Sequence, residues 1–196
     1  MRYRFLVDTF ATERLKVLSV WSMFEDRDLE IRPHPTDPRG RSVREQMVHQ
    51  CVSENLWFKG MLGIDVDAPP LPVDETRHAF IKRYAHDSAK RLDVLQSMDD
   101  AWWEAEASFF KEPRTRAWIF VRRIAHTSHH RGQQMAMLRM LGRDVHSSYG
   151  PTADTGGLMA NAAPVIYAYD DEAELLAGAA KRPLPGPGGK PATERP

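Results

Sequence analysis

The chain has 196 residues, of which 42% are hydrophobic and 28% charged, as is typical of a globular protein with a continuous apolar core. Basic and acidic residues number 27 each, so the composition favours neither nucleic acid nor an acidic membrane as a partner. No stretch approaches the ~20 apolar residues of a membrane span, and the single cysteine, Cys51, excludes an intrachain disulfide. We therefore expect a cytoplasmic protein without nucleic-acid or membrane partners.

Apolar residues recur at helical spacing in four segments. These segments predict helices over residues 3–25, 42–62, 74–98 and 115–142. Ser42 and Glu45 form a capping-box pattern at the start of the second helix, and Gly63 is suited to end it. Proline-containing connections separate the first three helices. The pattern predicts an all-α fold, a four-helix bundle.

Two segments fit the bundle pattern poorly. Residues 99–114 are rich in aromatic side chains and suit either a helix end or a short pair of strands, and we treat them as irregular. Residues after 145 are rich in Gly, Pro and small polar side chains, with one short helix expected after Asp171. The chain is therefore predicted to divide into a bundle, residues 1–145, and a largely irregular C-terminal extension, residues 146–196.

Two of the eight histidines, His126 and His130, lie four positions apart on the predicted fourth helix. Side chains at this spacing share a face, with Cβ atoms ~5–6 Å apart, and can hold one metal ion at nitrogen–metal distances of ~2.0–2.1 Å. His129 points about 100° away from His130, since a helix has ~3.6 residues per turn. A histidine patch without metal is the alternative interpretation, but imidazoles among apolar residues need polar partners.

A third ligand must come from another helix, and His49 is the candidate in the middle of the second one. A lone helical histidine is more often a hydrogen-bonded core residue than a ligand, and a separation of 77 positions between His49 and His126 carries no information on contact. Cys51 lies about 200° around the helix from His49, so we expect it to pack as a small core residue. Gln133, three residues after His130, is either a hydrogen-bond partner of that histidine or an amide that satisfies a helix–helix contact.

The segment from Ile124 to Gln134, with its HRGQ element, resembles the signature helix of the DinB family. The segment from Val43 to Trp57 is similar to that family's second helix, and the resemblance covers roughly residues 3–143. It implies a four-helix bundle, commonly dimeric, in which His49, His126 and His130 hold a divalent metal ion. Imidazole ligands favour zinc or nickel, with iron or manganese as alternatives.

The resemblance also implies a function, since characterised branches of the wider superfamily act on low-molecular-weight thiols. We therefore expect a metal-dependent enzyme, similar to a thiol S-transferase, that transfers such a thiol to an electrophilic small-molecule substrate. Three histidines leave coordination positions open, and a thiol bound there would lose its proton. One alternative is a non-catalytic binding or stress-response protein in which the metal ion only holds the helices together. Another is an interaction module that has lost its metal site. A homodimer is expected.

Overall fold

The computed structural model describes residues 2–157 and 162–186 of the chain. Four long helices form a bundle in which the first packs against the third and the last, and the second packs against the same two. The elements, in chain order, are α1 (Arg4–Ser22), α2 (Val43–Trp57), α3 (Arg77–Gln96), α4 (Asp100–Glu104), β1 (Glu106–Phe109), β2 (Glu112–Thr115), α5 (Arg116–Met140) and α6 (Glu172–Leu176). The predicted all-α bundle is thus confirmed.

The helix bounds follow from local capping. The Ser42 hydroxyl accepts a hydrogen bond from Glu45 N, and the Glu45 carboxylate accepts one from Ser42 N, which confirms the predicted capping box. A π-helical turn, Phe58–Leu62, extends α2 to Gly63, whose φ of 73° is the left-handed stop that glycine favours. The third helix begins slightly later than predicted because the Thr76 hydroxyl caps it.

The apolar core consists of two clusters of buried side chains. One includes Trp21, Met47 and Tyr84, and the other, around the start of α5, includes Phe58 and Trp103. Helices α1, α3 and α5 contribute buried residues to both clusters, and α2 contributes them to the first and packs Trp57 against the second. The bundle therefore holds α2 and α5, the helices that carry the candidate ligands, in a defined register.

The prediction that residues 99–114 are irregular is wrong. Helix α4 begins where the Asp99 carboxylate accepts a hydrogen bond from Trp102 N, and β1 pairs with β2 in an antiparallel hairpin. The hairpin turn places Phe110 and Lys111 at φ values of 49° and 76°. Such turns usually carry Asn-Gly or Asp-Gly, so the sequence lacked the usual signal.

The C-terminal extension packs on the bundle. The predicted short helix is present as α6, which the Asp171 side chain caps and which buries Leu175 in the core. Backbone hydrogen bonds join Ser147 to Ile166 and Arg182 to Ala168. Residues 158–161 and 187–196 of the extension that was predicted to be largely irregular lie outside the described residues. No described helix is long and apolar enough to cross a membrane.

Candidate metal site

The structure brings together the three predicted ligands. His49 projects from α2, and His126 and His130 project from one face of α5 as their spacing requires. The Nε2 atoms of His49 and His126 are 3.4 Å apart, and those of His126 and His130 are 3.3 Å apart. Among the described residues, no carboxylate or thiol joins this group of candidate ligands. The triad can hold a metal ion.

These distances fit a small divalent ion. Two nitrogens at ~2.0–2.1 Å from a tetrahedral ion are separated by about 3.3–3.4 Å. The two observed separations of 3.3 and 3.4 Å match this value, and the candidate ligand atoms of all three histidines lie within 4.8 Å of one another. The donor set and its spacing therefore fit a metal such as zinc.

Burial favours the neutral form of all three imidazoles, which is the form that binds a metal ion. Burial, together with the charge of Arg123, lowers the pKa of His126 to about 4. Burial, together with the neighbouring His126 and His49, lowers the pKa of His130 to about 3. Burial also lowers the pKa of His49. Neutral imidazoles with available lone pairs are what a metal ion requires.

Gln46 positions His130, a role that the sequence did not predict. The Nδ1 atom of His130 lies 2.7 Å from Gln46 Oε1, so a proton on Nδ1 is donated to the amide and Nε2 is left free for a metal ion. Gln46 Nε2 donates in turn to Gln133 Oε1 at 2.9 Å. Of the two roles considered for Gln133, the structure shows the helix–helix contact, because Gln133 bonds Gln46 of α2 and His129 rather than His130.

We expect Gln46→Leu to lower metal affinity by about 10–100-fold, the usual effect of losing a ligand's hydrogen-bond partner. The control is Gln50→Leu, since Gln50 is also buried on α2 but bonds Gln134 rather than a histidine. Affinity is measured by competition with a chromophoric chelator. Equal losses in the two variants would show that Gln46 acts only through general packing.

Arg131 of the HRGQ element and Gln134, which follows the element, hold α5 in place. Arg131 is buried and forms an ion pair with Glu13 of α1. Gln134 accepts a hydrogen bond from the Trp21 indole, also on α1, and donates one to Gln50 of α2. His129 is exposed and bonds Gln133, as its direction on the helix predicted. The HRGQ element and the residue after it therefore supply one candidate ligand and contacts that fix its helix.

A buried charged network adjoins the site. Glu54 of α2 accepts hydrogen bonds from Arg91 and Tyr84 of α3, and its carboxylate lies 3.5 Å from Arg123 of α5. The Arg123 guanidinium lies over the Trp57 ring, which stacks on His126 with an interplanar angle of 29°. The network thus links α2, α3 and α5, and it contacts the imidazole of His126 through the Trp57 ring.

Cys51 takes no part in the site. It is buried in the core cluster, as its position on α2 predicted. Burial raises the pKa of its thiol to about 12, so the thiol stays protonated and unreactive at neutral pH.

Comparisons with known proteins agree with the fold. The family model of the DinB family matches residues 6–156. A DinB-like protein from Bacillus cereus ATCC 10987 is 18% identical, with 74% of this chain and 95% of that chain covered and a TM-score of 0.65. A DinB-like protein from Bacillus subtilis is 15% identical, with coverages of 71% and 94% and a TM-score of 0.58.

Among curated proteins, none matches the chain. The two solved structures have the same fold at low sequence identity, and the family model covers more than half of the sequence, including all three histidines of the triad. The chain belongs to the DinB family.

Proposed function

We propose that the protein is a metal-dependent enzyme that transfers a low-molecular-weight thiol to an electrophilic substrate. The observation that carries the proposal is the convergence of three neutral imidazoles without a fourth protein ligand among the described residues. Structural zinc sites usually have four protein ligands, whereas catalytic sites keep a position for water or substrate. His49 and His126 are only partly buried, so small molecules can reach the triad.

A divalent ion bound there would supply the charge that stabilises a thiolate at neutral pH. In the proposed reaction, the thiol sulfur forms a bond to an electrophilic carbon. The bond from that carbon to its leaving group breaks, and the thiol proton passes to solvent or to the departing group. If the electrophile is an epoxide, its ring oxygen takes the proton. Atoms and charge balance without an oxidant or a reductant.

Aromatic side chains beside the triad are suited to hold the electrophile. The Trp57 ring contacts both His126 and Phe110, and Phe110 is 69% exposed at the tip of the hairpin. Such a surface takes up apolar groups and keeps water from one side of the site. We propose that the apolar part of the electrophile packs here, with its reactive carbon toward the histidines.

The test compares metal-loaded with metal-free protein. We expect Zn²⁺- or Ni²⁺-loaded protein to accelerate the consumption of thiols by chlorodinitrobenzene, and chelation or His126→Ala to return the rate to the buffer background. Ion content is measured by elemental analysis on the same samples, and free metal in buffer is the control. Tight metal binding without acceleration for any of several cellular thiols would contradict catalysis and favour the alternative of a metal-stapled binding protein.

We also propose that the metal ion is zinc or nickel. In the same proposal, the protein is a cytoplasmic homodimer without nucleic-acid partners. These proposals are supported by the imidazole donor set, the family and the balanced charge of the chain.

A further inference from the structure

A pocket of about 310 Å³ lies between α1 and the part of the C-terminal extension that contains α6. One wall comes from residues 11–19 of α1 and the other from residues 167–175 of the extension. The second wall lies beyond residue 156, where the match to the DinB family model ends. None of the three histidines of the triad lines the pocket. The pocket is therefore separate from the candidate metal site and depends on the extension.

Much of the inner surface is apolar. Leu15 and Leu18 supply it from α1, and Leu175 supplies it from α6. The half-buried rings of Tyr167 and Tyr169 complete this surface. Aliphatic side chains and aromatic rings in a concave wall take up the apolar part of a ligand, and the volume is at the lower end of the range for small-molecule sites. The pocket is thus suited to a small molecule with an apolar body.

The α1 wall also carries a polar group without a partner. Ser19 lines the pocket and is only 5% exposed, and its hydroxyl forms no hydrogen bond with another described residue. The hydroxyl of Ser22, one turn later, donates to Ser19 O as helical serines commonly do. A buried hydroxyl without a partner is costly, and few remain in native proteins. A polar atom of a bound molecule would supply the missing partner.

The charged groups of the pocket are paired, with one exception. Lys16, Asp170 and Glu172 each form an ion pair at 2.6 to 2.9 Å, with Glu13, Arg182 and Arg14 respectively. Asp171 also lines the pocket, but it forms no ion pair with another described residue. One oxygen of its carboxylate accepts a hydrogen bond from Glu174 N, which leaves the other oxygen for a ligand. The charge that remains available at the pocket is therefore negative.

An ammonium group fits this arrangement. It can pair with the free oxygen of Asp171, and the negative faces of tyrosine rings attract cations. An anion would be repelled by Asp171, and Lys16, the cationic side chain that lines the pocket, is already paired with Glu13. The combination of an apolar body and a cationic end is that of an amphipathic amine.

We propose that this pocket is a second ligand site, which binds a small amine with an aromatic or aliphatic body. The ammonium group lies at Asp171, and the body lies between α1 and residues 167–175. The proposal does not depend on the metal ion or on the thiol-transfer function. Since the amine contacts the bundle and the extension together, its binding also stabilises the packing of the extension on α1.

The test is a backbone-amide NMR titration of the full chain with three probes that share one body: phenylbutylamine, phenylbutanol and phenylbutyrate. We expect the amine to bind about tenfold more tightly than the alcohol, because only the amine gains the charge interaction with Asp171 and the tyrosine rings. The acid should bind most weakly. The amides that shift should be those of residues 11–19 and 167–175.

Asp171→Asn should abolish the preference for the amine over the alcohol. Asparagine caps a helix about as well as aspartate does, so α6 is kept. Glu174→Gln is the matched control, since it removes the same charge three residues later from a side chain that does not line the pocket, and it should keep the preference. Ala11→Phe, which fills the pocket from α1, should remove the binding of all three probes.

Equal binding of the amine and the alcohol to wild type, or tightest binding of the acid, would overturn the assignment of an amine. Absent binding of every probe, shifts confined to other residues, or binding that the Ala11→Phe variant retains would overturn the pocket as a ligand site. Circular dichroism verifies the fold of each variant. The comparison of the three probes on wild type needs no substitution, so a variant that fails to fold leaves the test intact.

Discussion

Replacing His126 with alanine is expected to abolish stoichiometric metal binding, whereas His129→Ala retains it. His126 is the central ligand, since its Nε2 atom lies 3.4 Å from that of His49 and 3.3 Å from that of His130. Its removal leaves two nitrogens where a stable site needs at least three protein ligands. His129 is exposed and bonds Gln133 rather than the triad.

Metal content per chain is measured in both variants and wild type after identical dialysis, with circular dichroism to verify the fold. The two substitutions change the same residue type on the same helix, so a difference between them reports position alone. Equal metal loss would mean that the ligand set is wrong. Full retention in a folded His126→Ala protein would rule out the site.

The pH dependence of occupancy follows from the same histidines. Protons compete with the ion for imidazole lone pairs, so occupancy decreases as pH decreases. Unperturbed imidazoles would compete from about pH 6.5 downward. Since the pKa values of all three histidines are lowered, that of His126 to about 4 and that of His130 to about 3, we expect the midpoint of metal loss to lie below pH 6.5. Dialysis against a pH series measures this midpoint.

The largest effect on stability is expected for Glu54→Gln. The Glu54 carboxylate is fully buried among the guanidinium groups of Arg91 and Arg123, each 1% exposed at the side chain. The glutamine keeps the shape but removes the negative charge, which leaves two buried cations without their main counter-ion. Breaking a buried ion pair in this way costs about 3–5 kcal/mol, and we expect the free energy of unfolding to decrease by a comparable amount.

Denaturant unfolding of metal-free protein measures this effect, so that a change in metal binding cannot contribute. Glu30→Gln is the control, because Glu30 pairs with Arg44 on the surface with its side chain 71% exposed, where an ion pair contributes little. A Glu54→Gln protein as stable as the control variant would show that Arg91 and Arg123 find water or other partners when the carboxylate charge is lost.

Local sequence determined the four long helices and the convergence of two of the three candidate ligands. Apolar periodicity identified the four long helices, and the Ser42 capping box and Gly63 marked the bounds of α2 and its final turn, because both act within a few residues. The convergence of His126 with His130 also follows from the sequence, since residues four apart on a helix share a face whatever the rest of the chain does.

Tertiary structure alone decided the remainder. His49 joins the triad only because α2 packs against α5 in one register, and no local pattern records a contact across 77 residues. The hydrogen bond from Gln46 to His130 and the burial of Glu54 depend on the same packing. The hairpin turn at Phe110 and Lys111 lacks glycine, so its left-handed backbone is set by the pairing and packing of the flanking strands.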